Sequence, residues 1–118
     1  MILDLLNTWE ETYKKGQLTL WIFLSLRDGE KYVDEIKLFI EKYSNETLSC
    51  EEQSIYRSLR KYLHLEIVEF NFKKGNKGPE RKYYNLTELG NDLLNQFIER
   101  NINLFYEDKI KQLLKKNK

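Results

Sequence analysis

One cysteine, one histidine and one proline occur in a chain of 118 residues. A lone thiol, Cys50, cannot close an intramolecular disulfide, so an apolar core has to hold the fold, and a reducing cytoplasm is the expected compartment. His64 and Cys50 have no carboxylates at metal-ligand spacing beside them, so neither a zinc site nor a nucleophilic triad can be assembled, and no metal, cofactor or catalytic residue is expected. Long hydrophobic runs are also missing. The longest, LTLWIFLSL from Leu18 to Leu26, falls well short of the ~20 residues that span a bilayer, and no signal-peptide pattern precedes it. The glycine-bearing segment Gly75-Asn76-Lys77-Gly78-Pro79 lacks the Lys-Ser/Thr that follows the second glycine of a P-loop, which excludes that route to nucleotide hydrolysis.

An excess of one charge sign is absent as well: 20 Lys and Arg oppose 19 Asp and Glu. The distribution along the chain is uneven. Residues 1–49 carry six basic against nine acidic side chains, whereas residues 70–83 hold Lys73, Lys74, Lys77, Arg81 and Lys82 against Glu80 alone. A concentrated basic segment in a nearly neutral chain points to a polyanionic partner met at one place rather than over the whole surface.

With 41% hydrophobic and 33% charged residues, the chain is of the globular class and long enough for one core. From Thr12 to Arg27 the pattern is apolar nearly all round a helix, which predicts a central helix. Asp28-Gly29-Glu30 interrupts it. Tyr32, Ile36, Phe39, Ile40 and Tyr43 then recur at helical spacing in a second, amphipathic helix. Ser49-Cys50-Glu51-Glu52 reads as a capping box, predicting a third helix over residues 50–64. Its inward stripe is Ile55, Leu59, Tyr62 and Leu63, leaving Gln53, Ser54, Arg57 and Lys61 outward and Arg60 nearer the edge.

Val68, Phe70 and Phe72 alternate with Glu69, Asn71 and Lys73, and RKYYNL follows across a Gly/Pro-bearing loop, predicting a hairpin with its cations near the tip. Tyr83 and Tyr84 should face opposite sides of the second strand. Thr87 is placed to cap a last helix running through Leu94, Phe97, Ile98, Ile102 and Phe105 to near the terminus. Three helices, a hairpin and a terminal helix in this order make an α+β, mostly helical fold: a winged helix-turn-helix with a two-stranded wing and a C-terminal dimerisation helix. Residues 1–88 would form the DNA-binding region with its N-terminal helix and residues 89–118 the dimerisation helix, in one compact domain.

KKGQLTLWIFLSLRDGEKY, SIYRSLRKYLHLEIVE and GPERKYYNLTELG, spread over roughly residues 14–92, resemble the opening helix, the recognition helix with first wing strand, and the second wing strand with helix entry of the PadR family of transcription regulators. Tyr32, Glu35 and Ile36 match that family's second-helix signature. Val33-Asp34 and Gln53-Ser54 depart from it, as does the lack of a glycine before the first wing strand. The resemblance implies a homodimer that binds a pseudo-palindromic operator, usually as a repressor, and is sometimes released by a small hydrophobic effector. It also places Tyr56 at the DNA backbone.

In that frame Gln53 can pair with adenine and Arg57 with guanine in the major groove, while Ser54, Arg60 and Lys61 hold phosphates. Lys73, Lys74, Lys77, Arg81 and Lys82 would act through counterion release. A solvated helix face and a hairpin whose lysines block edge pairing are the alternatives. Trp9, Tyr13, Trp21, Leu94, Phe97, Ile98, Ile102 and Phe105 are expected to form the dimer interface, since their apolar area exceeds what one small core buries. Trp9, Trp21, Phe97 and Phe105 are the candidates for an effector site. Cys50 reads as a surface thiol at a helix start, with redox sensing as the alternative. Two other functions fit the same fold: a structural DNA-binding role, as in the replication terminator proteins with their similar YRSL segment, and a protein-interaction module without DNA binding.

Overall fold

The computed structural model describes residues 1–74 and 78–115. Helix α1 (Ile2–Tyr13) leads into α2 (Gln17–Asp28), α3 (Val33–Tyr43) and α4 (Glu52–His64). Strands β1 (Val68–Lys74) and β2 (Glu80–Leu86) follow, then α5 (Glu88–Asn101), a 3-10 turn (Asn103–Tyr106) and α6 (Asp108–Lys115). The strands pair antiparallel from Val68 opposite Leu86 to Lys74 opposite Glu80. Lys31 adds a one-residue bridge to the outer edge of β2 through two backbone hydrogen bonds with Tyr84, of 3.1 and 2.8 Å.

Helix α2 is central for the reason its composition implies. Ile22, Phe23 and Leu26 are buried against Val33, Ile36 and Ile40 of α3, Ile55 and Leu59 of α4, and Val68, Tyr84, Leu86 and Leu94. The one buried hydroxyl of that helix, Ser25, donates to the Ile22 carbonyl at 2.6 Å, so no polar group is stranded there.

Three boundaries differ from the sequence expectation. The Thr12–Arg27 stretch is not one helix: Gly16 adopts φ +81°, a left-handed conformation that side chains disfavour, and separates α1 from α2. The Ser49/Glu52 capping box does not form, and Glu51 rather than Ser49 is the N-cap of α4. Left-handed Asn45 and Glu46 make a tight turn, and the Ser44 hydroxyl accepts from the Leu48 amide. With Leu48 packed on the core, Ser49 and Cys50 stay non-helical and the helix begins two residues later than expected.

The single terminal helix is also divided. It unwinds at Ile102, closes a 3-10 turn, and passes through an extended Glu107 before α6. The weak helix formers Asn101 and Asn103 flank that break, and the Asn101 side chain donates to the Phe97 carbonyl one turn back at 3.1 Å, a local side-chain-to-backbone bond of the kind that competes with helix continuation. The Thr87 cap is present, with its hydroxyl accepting from the Gly90 amide at 3.0 Å. Among the described residues no helix is long and apolar enough to cross a membrane.

Candidate nucleic-acid interface

The roll of α4 is set by its buried side. Ile55 and Leu59 are fully enclosed, the Tyr62 ring meets Phe23 edge-on at 5.0 Å, and the Tyr62 and Thr19 hydroxyls share a 3.3 Å hydrogen bond. That anchoring presents Gln53, Arg57, Arg60 and Lys61 to solvent, with Ser54 half-buried and Tyr56 43% exposed. Among the described residues none of the α4 cations is engaged in an ion pair. Gln53, Tyr56, Arg57 and Arg60 together line a shallow depression. A second depression, lined by Tyr32, Asp34, Tyr56, Arg81, Lys82 and Tyr84 among others, runs between the starts of α3 and α4 and strand β2. Tyr56 belongs to both, so the outward face of α4 is continuous with the wing.

The wing's cations are divided by strand alternation. Lys73 lies opposite Arg81 in the hairpin register, and both turn toward the segment before α3. There Lys73 pairs with Glu30, and the Arg81 guanidinium sits 4.4 Å from the Tyr32 ring centre. Lys82 lies on the other face with its ammonium 4.7 Å above Phe70, and Lys74 is exposed. Lys77 falls outside the described residues. Tyr84 is buried while Tyr83 is half-exposed, as strand alternation requires. Phe72, on the inward series, is 60% exposed because the hairpin projects beyond the core.

Burial and neighbouring charge act on three groups here. Desolvation pushes the Tyr84 phenol up, with Tyr56 adding to the rise and Arg60 opposing it. The Glu52 carboxyl, in the first turn of α4, is raised from its ordinary value by its interaction with the neighbouring Asp34 carboxyl. Cys50 is not in the helix as expected. It is half-buried before it, and desolvation pushes its thiol up, Glu41 adding and Lys37 opposing, which disfavours the reactive thiolate.

Of the residues expected at a dimer interface, Leu94 is 1% exposed and belongs to the monomer's own core, because α5 lays that side chain onto α2 and the wing base. Trp9, Tyr13, Phe97 and Phe105 are exposed, and Trp21, Ile98 and Ile102 are half-buried. Sequence reasoning passed over Ile2, Leu3, Leu5 and Leu6, which α1 also leaves exposed. Leu5, Leu6, Trp9 and Tyr13 recur at helical spacing, a signal that could have found that face. An apolar cavity of about 540 Å³ opens between α2, α4 and α5, lined by Tyr13, Leu20, Phe23, Tyr62, Phe97 and Phe105 among others. It includes Phe97 and Phe105 of the expected effector residues but neither Trp9 nor Trp21.

A helical core, a two-stranded wing and an outward cationic helix define a winged helix-turn-helix protein. Residues 22–96 match the transcriptional regulator PadR-like family, and the chain belongs to that family. It is similar to a PadR-like transcriptional regulator from Bacillus cereus, with 25% identity, a TM-score of 0.70, and coverage of 90% of this chain and 99% of that one. Bacillus subtilis PadR, in a crystal structure with operator DNA, is 25% identical with a TM-score of 0.62; the match covers 69% of this chain but only 46% of that regulator. An uncharacterised protein from Lysinibacillus sphaericus is 25% identical over 85 residues, 72% of this chain and 78% of that protein.

Proposed function

We propose that this protein is a dimeric, sequence-specific DNA-binding repressor in which α4 enters the major groove and the wing lies along the phosphate backbone. The observation that carries the reading is the continuity of the two surfaces through Tyr56. It joins base-reading side chains on a rigid helix to Arg81 and Lys82 of the adjoining hairpin, which line the same depression as Tyr56. In this arrangement Arg57 reads guanine and Gln53 adenine; Ser54, Tyr56, Arg60 and Lys61 hold phosphates, and Lys74, Lys77 and Lys82 with Lys73 and Arg81 supply counterion release. The resemblance to a regulator crystallised with operator DNA supports the DNA-binding part of this reading.

A second copy completes the binding unit. Helix α1 exposes Leu5, Leu6, Trp9 and Tyr13, and Phe97 and Phe105, which share a cavity lining with Tyr13, are exposed as well, apolar surface of the kind that marks an interaction site. Two-fold pairing through this face would present two α4 helices to half-sites about one helical turn apart. The apolar cavity beside it is of a size to take a small hydrophobic effector. Fluorescence anisotropy with a duplex from upstream of the protein's own gene and a scrambled duplex, each at two salt concentrations, tests the reading. Tighter saturable binding to the upstream duplex is expected. Equal, salt-sensitive binding to both would make the role architectural, and no binding at low salt would overturn it.

A further inference from the structure

The wing is fastened to the body of the protein by a cluster that the DNA reading does not itself require. Lys31 exchanges two backbone hydrogen bonds with Tyr84, which fixes its neighbours Glu30 and Tyr32 against the hairpin. The Tyr32 ring meets Tyr83 edge-on at 5.3 Å and carries the Arg81 guanidinium over its face at 4.4 Å. Glu30 pairs with Lys73, whose ammonium also lies 5.9 Å from the Tyr83 ring. One short segment thus holds two wing cations that face each other across the hairpin.

The two contacts differ in their consequence for an incoming phosphate. A guanidinium stacked on a ring keeps its N–H edges free while its plane is held, so the stack leaves Arg81 ordered for bidentate donation. An ammonium paired with a carboxylate is a point charge already partly neutralised. We infer that Tyr32 is a positioning residue for DNA binding, acting through Arg81: it holds the guanidinium in the plane from which it grips a backbone phosphate. Glu30 works on the other strand as the wing's restraint, holding Lys73 until a phosphate displaces it. This assignment rests on the DNA-binding reading above.

Substitution separates positioning from simple packing. Tyr32→Leu keeps apolar bulk but removes the ring face, and its affinity for a mixed-sequence duplex should fall about threefold to tenfold. Tyr32→Phe keeps the ring and should remain within about twofold of wild type. In an Arg81→Ala background Tyr32→Leu should cause no further loss, because the residue it positions is gone. Glu30→Gln should bind more tightly with a steeper salt dependence, and lose that gain in a Lys73→Ala background. Thermal melts of each variant without DNA establish that the fold is retained. Tyr32→Leu binding as tightly as wild type, or losing as much with Arg81 absent, would overturn the assignment. A wild-type protein that binds no duplex at low salt instead overturns the DNA reading and this role with it, an outcome distinct from a wild type that binds and a Tyr32 variant that matches it.

Discussion

At the scale of single residues, Arg57 and Gly90 show two kinds of constraint. Arg57 projects from the outward face of α4 with no ion-pair partner among the described residues. If it reads a base, Arg57→Ala costs about 1 to 3 kcal/mol on the specific duplex and much less on a scrambled one. Anisotropy titrations of both duplexes check this, and equal losses would reassign the side chain to a phosphate. Gly90 answers to packing instead. A Cβ there would sit 2.1 Å from the Ile67 carbonyl oxygen, a backbone atom with little room to yield. Gly90→Ala should therefore destabilise the fold by about 3 kcal/mol, read as a lowered midpoint in denaturant unfolding. The helical position of Gly90 was legible from the Thr87 cap three residues before it, but its closeness to Ile67 was not, because the contact joins segments 23 residues apart in sequence.

At the scale of elements, the basic hairpin and α4 contribute differently. Replacing Lys73, Lys74 and Lys77 with Ala should weaken binding to every duplex alike and flatten the slope of log K against log salt by about 2. An unchanged slope would remove the wing from the interface. The wing's existence could be read from strand alternation and from cations clustered about one proline. Its division into two cationic faces could not, since the pairing of Lys73 with Glu30 and the placement of Arg81 over Tyr32 bring together residues 43 and 49 positions apart. The start of α4 was misread for a related reason. A local capping signal at Ser49 yields to the turn at Asn45-Glu46 and to the packing of half-buried Leu48 against the core, which hold the chain non-helical through Cys50.

At the scale of the whole molecule, the proposed pairing with a second copy rests on the exposed apolar faces of α1 and of the α5–α6 segment. Leu5→Glu with Trp9→Glu places two charges on that face without touching the core, because both side chains are exposed in the monomer. Analytical ultracentrifugation should find the wild type sedimenting as a dimer and the double variant as a monomer of unchanged helical content. A wild-type monomer at working concentration would remove two-fold pairing from the mechanism. The variant should also bind DNA more weakly, since each half-site contact would then be made separately.

Sequence by itself determined the three-helix core, the hairpin and the helix that follows it, where the cations concentrate, and which family the chain resembles. These depend on periodicity, composition and short motifs carried by neighbouring residues. Tertiary structure alone decided that Leu94 is core rather than interface and that the C-terminal helix breaks at Ile102. It also decided that Cys50 lies before the helix, and that two of the wing's cations are already held by Glu30 and Tyr32. Each of those outcomes depends on what a side chain meets across the fold, and no local pattern carries that information.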